Sequence, residues 1–141
     1  MFKINQLLIT AMLLLLCRAA MANDGDLFQP LSPESAELNQ YKWQKRPLVI
    51  FAPFKNDADY LQQMAMLEKN KVQLAERDIV VLSDTAPKDH GKLRAQLNPK
   101  GFEVVLVGKD GGMKLRDQKP ISAEVLFSTI DQMPMRRARS E

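Results

Sequence analysis

The five residues Pro53-Phe54-Lys55-Asn56-Asp57 lie where an apolar run, Leu48 to Ala52, gives way to a helical pattern. The end of a buried strand that turns into a helix is a place where chemistry is done. The free N–H groups and the dipole of the helix stabilise a thiolate or hold an anion there. A cysteine in this turn would be a redox reagent, and a serine or threonine a nucleophile. The turn has none of the three. It offers Lys55, Asp57 and Asp59, which could act as acid, base or anion clamp, or could do no more than complement the helix dipole. Asp57 and Asp59 also supply only two carboxylates of the roughly 6–8 oxygens that calcium takes, too few for a site.

Other clusters are weaker. His90, the single histidine, lies near Ser83, Asp84 and Asp89. A catalytic triad needs groups converging from rigid elements, and these share one stretch of chain. One imidazole without thiolates gives no zinc site of usual composition, so solvated loop residues are expected. The run Val107-Gly-Lys-Asp-Gly-Gly112 lacks the spacing of a phosphate loop and leads into a strand pattern. Lys109, Lys114, Arg116 and Arg136 would form a basic patch if the last helix returned its end to that turn. Such a patch reads carboxylate or phosphate, and the same cations also suit a solvated edge strand. Arg46, beside Pro47, could hold an acidic group at a sheet edge or make a surface salt bridge. Met133 and Met135 flank Pro134 as a binding lip or as core-sealing residues. Tyr41 and Trp43 are expected to pack over the sheet. No catalytic residue, cofactor or metal-ligand set is assigned.

The elements that position these groups begin after a leader. Lys3, the apolar stretch Leu7–Cys17 and the small residues Ala20 and Ala22 read as a secretory signal, residues 1–22, cut between Ala22 and Asn23. A lipoprotein cut before Cys17 is the alternative, with Leu16 where a small residue is wanted. No later stretch is long and apolar enough for a membrane span. Removing Lys3 and Arg18 leaves 18 Lys and Arg against 17 Asp and Glu, a net +1 instead of +3. That balance gives no basic stripe for nucleic acid. Cys17, the only cysteine, leaves with the leader, so residues 23–141 can form no disulfide and carry no thiolate.

Residues 23–37 are expected to be loose, with a short helix starting at Ser32-Pro33. Strands are expected at 47–53, 78–83, 102–108 and 112–116, the first three central because their runs are apolar at nearly every position. One helix is expected from Asn56 or Asp57 to about Glu76, with Gln62, Gln63, Glu68 and Lys69 facing out. A short helical turn precedes Pro99. Asp110-Gly111 signals a two-residue hairpin with both residues at positive φ. Ser122 caps a last helix that Pro134 ends.

The stretches "YKWQKRPLVIFAP", "ERDIVVL", "VVLVGKDGGMKLR" and "IDQMPMRR" together resemble a family of small bacterial secreted proteins, a domain of unknown function. A related domain occurs in vertebrate extracellular matrix proteins of the sushi-repeat and equarin type. The likeness spans about Leu38 to Arg137, so 38–137 is expected to be the domain and 138–141 a tail. It implies a thioredoxin-like, peroxiredoxin-like α/β fold, a three-layer sandwich with a mixed sheet. The element order fits two parallel crossovers, an antiparallel hairpin and a covering helix. Active members of that fold place a cysteine in the turn that Phe54–Asp57 occupies here, and a cis-proline just before the third core strand, near Glu103 here. Both are missing. The expectation is an exported, non-catalytic binding or interaction module, periplasmic or secreted, with no cofactor. Its partner would be a protein or a small anionic ligand touching Arg46, Lys55, Asp57, Lys109, Lys114, Arg116 or Arg136. The alternative is an enzyme with non-thiol acid/base or anion-binding chemistry at the turn.

Overall fold

The structure, a computed structural model, describes residues 24–136. The expected leader 1–22, its cut between Ala22 and Asn23, and the tail 138–141 lie outside the described residues. A one-turn helix α1 (Asp24–Leu27) leads into β1 (Phe28–Pro30), followed by β2 (Arg46–Phe51). Then come α2 (Ala58–Lys69), α3 (Lys71–Glu76), β3 (Ile79–Asp84) and α4 (Lys92–Leu97). The chain continues through β4 (Glu103–Val107), β5 (Met113–Asp117) and α5 (Ala123–Asp131). The five strands form one sheet in the order β1-β3-β2-β4-β5.

The unbroken apolar runs became the three central strands, since a strand covered on both faces has no side to turn to water. One side of the sheet carries Leu48, Ile50, Val81, Val104 and Leu106 against Leu67 and Leu74 of α2 and α3 and Leu126 and Ile130 of α5. The other carries Val49, Phe51, Val80, Leu82 and Val105 against Leu93, with Leu31, Leu38, Tyr41 and Leu97 packed on it. The result is the expected three-layer α/β sandwich with a mixed sheet.

One expected connection is corrected. β2 runs parallel to β3, but β4 runs antiparallel to β2, so only one of the two crossovers between core strands is parallel. The reason is length. The six residues of α4 span about 9 Å, too little to carry the chain back along a strand of about 17–20 Å, and β4 therefore starts at the end where β3 stopped. That end, with Phe51, Asp84 and Glu103, is the turn pole. The opposite end, with Arg46, Ile79 and Val107, is the hairpin pole.

Four local readings also change. The segment expected to be loose supplies β1, which pairs parallel with β3, and Leu27 beside it is buried. At Ser32 the hydroxyl donates to Glu34 at 2.6 Å and the backbone closes a turn from Ser35 N–H to the Ser32 carbonyl, not a helix. The helix expected through Glu76 is interrupted at Asn70, at φ −115° and ψ 23°, whose side-chain amide donates to the Met66 carbonyl. The hairpin does turn at Asp110-Gly111, but only Gly111 of that pair takes positive φ, 84°. Gly111 N–H donates to the Gly108 carbonyl and Gly108 N–H to the Gly112 carbonyl. That is a three-residue loop whose left-handed residue is the glycine.

Gln63 was expected to face water and is buried. Its amide nitrogen donates to the Ile121 carbonyl at 3.1 Å, and its amide oxygen accepts from Ile121 N–H at 2.7 Å. The side chain thus acts as one rung of a ladder for a backbone segment that no strand reaches. Gln63→Leu keeps the volume and leaves both Ile121 groups without partners, a loss of about 2–3 kcal/mol. Urea unfolding should show that loss, with faster hydrogen exchange at the Ile121 amide. An unchanged midpoint would contradict the clamp.

Candidate functional site

At the turn pole, Asp57 caps α2, its carboxylate accepting from Tyr60 N–H at 3.0 Å. The N–H groups freed by the helix start are met in part by that carboxylate, as an N-cap does. Lys55 is exposed and borders an open hollow of about 410 Å³ with Phe28, Tyr60, Met64, Ser83 and Thr85. Phe54 stands 55% exposed. Glu103 opens β4, so Phe102 is the residue before the strand, and no described peptide bond is cis.

Beneath the turn lies an arrangement that sequence reasoning missed. Phe51 pairs with Asp84 on one side and with Glu103 on the other, so a carboxylate, a phenyl ring and a second carboxylate form a row across three strands. Each carboxylate has its own arginine. Arg94 of α4 donates to Asp84 at 2.9 Å and to the Ala52 and Asp84 carbonyls at 3.1 and 2.9 Å, with its guanidinium 5.3 Å from the Phe51 ring centre. Arg116 of β5 donates to Glu103 and to the Leu97 carbonyl. Asp84 is therefore a buried strand residue and not part of the solvated loop with His90, which is exposed. Arg116, expected in a basic patch with Lys114, faces the layer of α4 instead. The only sequence signal for this row was a carboxylate at the end of one apolar run and another at the start of the next.

The hairpin pole holds a pocket of about 260 Å³ lined by Trp43, Arg46, Lys109, Lys114, Met133 and Met135 with the turn between them. Here the structure brings together three of the candidate residues, Arg46, Lys109 and Lys114. Arg46 is not at a sheet edge: it opens the central strand β2, is buried, and donates to the Arg77 carbonyl at 2.7 Å. Lys109 is buried and pairs with Asp78 at 2.6 Å. Lys114 pairs with Asp110 at 2.9 Å, and that contact holds the Asp110 carboxyl below its usual range. Lys109 and Lys114 are thus already answered by carboxylates, so a bare anion would have to compete for them.

Arg136 sits behind the pocket, donating to the Glu76 carbonyl and to Asp131. Arg77 grips Asp131 with two hydrogen bonds of 3.0 Å, and its guanidinium lies 4.3 Å from the Phe127 ring centre. Arg77, then Arg136, holds the Asp131 carboxyl below the ordinary range. A lowered folded-state value means this tie is present at neutral pH and is lost only as pH falls through that value. It fixes the end of α5 and so places Met133 and Met135. Met133 packs on the core while Met135 is exposed, so the pair divides the roles of seal and lip. Trp43 corrects its expectation: it does not pack over the sheet but stands 59% exposed, at φ 68°, with its backbone N–H donating to the Lys109 carbonyl at 2.6 Å.

The Asp84–Arg94 pair generates a test. Removing one member of a buried ion pair costs about 3–5 kcal/mol because the other is left charged without its partner. Arg94→Leu should lose that much in urea unfolding, and Asp84→Leu with Arg94→Leu should recover more than half. A double variant no better than the single would mean that the carbonyl contacts of Arg94, not the charge pair, hold the pole.

Solved structures place the fold. The chain is similar to the reduced 2-Cys peroxiredoxin of Plasmodium vivax, at 14% identity and TM-score 0.55, over 74% of this chain and 85% of that one. It is similar to thioredoxin-2, described as a component of malaria parasite protein secretion machinery, at 18% identity and TM-score 0.53, over 63% of this chain and 84% of that one. The fold is thioredoxin-like. A curated relative, coiled-coil domain-containing protein 80 of Danio rerio, is 27% identical over 137 residues, which cover 74% of this chain and 16% of that protein. The family described as "Domain of unknown function (DUF4174)" matches residues 37–139, and the chain belongs to it.

Proposed function

We propose that this protein is an exported, non-catalytic binding module on a redox-inactive thioredoxin-like scaffold, periplasmic or secreted. The observation that carries the reading is the turn after β2. It keeps the strand-to-helix geometry, yet it contains no cysteine, serine or threonine, and its Asp57 carboxylate serves as the helix cap. The described residues contain no cysteine at all. The alternative of a non-thiol enzyme needs Lys55, Asp57 and Arg116 together, and the bonds of Arg116 to Glu103 and Leu97 tie it to another layer. Export rests on the basic, apolar and Ala-x-Ala order of residues 1–22. The resemblance to bacterial secreted proteins and to matrix proteins of the sushi-repeat and equarin type supports the same compartment.

The test is to express the full chain in a bacterium, recover it from the periplasmic fraction, and read its intact mass and its insulin-disulfide reductase activity with dithiothreitol. The mass should correspond to a chain starting at Asn23, and the rate should equal that of buffer. Retention of Met1, or a lipid on Cys17, would reject the export route. Reduction above buffer that is abolished by Lys55→Ala with Asp57→Ala would replace the binding reading by a non-thiol active site.

A further inference from the structure

The pocket at the hairpin pole has features that the core does not require. Trp43 is a bulky residue in the left-handed region, where side chains other than those of Gly, Asn and Asp are uncommon and the backbone is strained. Its backbone N–H is held by the Lys109 carbonyl, while its ring is left mostly in water. Hydrophobic burial does not explain an indole presented outward on a strained backbone. Opposite it, Met133 and Met135 offer thioethers that adapt to irregular apolar shapes.

Size and charge narrow the occupant. A volume of about 260 Å³ falls below the roughly 300–1,000 Å³ of small-molecule and cofactor sites and suits one or two side chains. Around the pocket, Lys42, Arg46, Arg77, Lys109, Lys114 and Arg136 face Asp78, Asp110 and Asp131, six cations to three carboxylates. The described residues 24–136 carry 16 Lys and Arg against 16 Asp and Glu, so the local +3 leaves the other described residues at −3. The positive charge is gathered at this pole. Because Lys109 and Lys114 are already paired with carboxylates, an added anion gains steering and only part of the affinity, and most of the binding energy has to come from apolar contact with Trp43, Met133 and Met135. The chain's own end is unsuitable, since Arg137 and Arg139 repeat the sign of the pocket.

We propose that this pocket is a peptide-recognition site that takes an apolar side chain carried next to a carboxylate on an exposed segment of a partner protein. The proposal rests on the binding-module reading and narrows its contacts to the end of the sheet opposite the turn.

The test is to pan a phage-displayed library of random twelve-residue peptides on the immobilised protein. Enriched sequences should carry Leu, Ile, Met, Phe or Trp with Asp or Glu within two positions. A synthetic peptide of the consensus that lacks Trp should shift the emission of Trp43, the only tryptophan of the chain. Lys114→Glu should weaken its binding at least tenfold, as should changing its acids to amides. Trp43→Gly, which accepts the same φ without strain, should weaken it as much while leaving circular dichroism unchanged. Enrichment of basic or uncharged sequences, affinity untouched by both variants, or no enrichment overturns the proposal. Binding that is lost with Phe54→Ser instead overturns the site and leaves the binding-module reading standing. Disulfide reduction with pocket binding intact does the reverse.

Discussion

Every residue of β2 is buried. The strand lies between β3 and β4, and side chains of α2, α3 and α5 cover one face while α4 and the segment before β2 cover the other. A strand closed in on both edges and both faces can offer function only at its two ends. Its backbone N–H and carbonyl groups are spent on neighbouring strands, and its side chains form the densest part of the core. The two poles, about 17 Å apart at ~3.3 Å per residue, are therefore where this protein can meet anything else.

The ends are built differently. At the turn pole, Arg94 binds the last carboxylate of β3 together with the Ala52 and Asp84 carbonyls, and Ala52 N–H donates to Asp84 O. The exits of two strands are thus tied to one guanidinium, and a bidentate, always-charged group suits that task better than lysine. The pole keeps a rigid platform for a helix N-terminus and carries no reagent on it. At the hairpin pole, the polar groups hold the frame of a pocket. Arg46 grips the Arg77 carbonyl, Arg77 grips Asp131, and the end of α5 then presents its methionines beside Trp43. Charge fixes the frame there, and apolar surface is what the frame displays.

Much of the scaffold was legible in sequence because it depends on local pattern. Leu48–Ala52, Ile79–Leu82 and Val104–Val107 announce buried strands, Asp57 and Ser122 announce helix starts, and both cap as expected. What escaped depends on partners far along the chain. Gln63 looks like a surface residue until Ile121, 58 positions away, needs two hydrogen bonds. Arg94 and Arg116 look like solvated cations until Asp84 and Glu103 meet them from neighbouring layers. β1 is three residues long and exists because an edge of β3 was open to it. The direction of β4 was misread because an apolar run does not state which way it points, and only the shortness of α4 decides it. Trp43 was misjudged because an aromatic beside a strand is usually covered, and nothing local foretells a positive φ at tryptophan.

The central claim is that the working end of this protein is the hairpin pole, not the turn that its fold would suggest. Trp43 and Phe54 are almost equally exposed, at 59% and 55%, and so make a matched pair of probes, one at each pole. The direct measurement is photo-crosslinking in cells that export the full chain, with p-benzoylphenylalanine placed in turn at position 43 or 135, at the hairpin pole, and at position 54 or 61, Leu61 being exposed on the first turn of α2 at the turn pole. Adducts to a partner protein from positions 43 and 135, with none from 54 and 61, are the predicted result. Adducts from 54 and 61 alone would contradict the account and return the function to the turn.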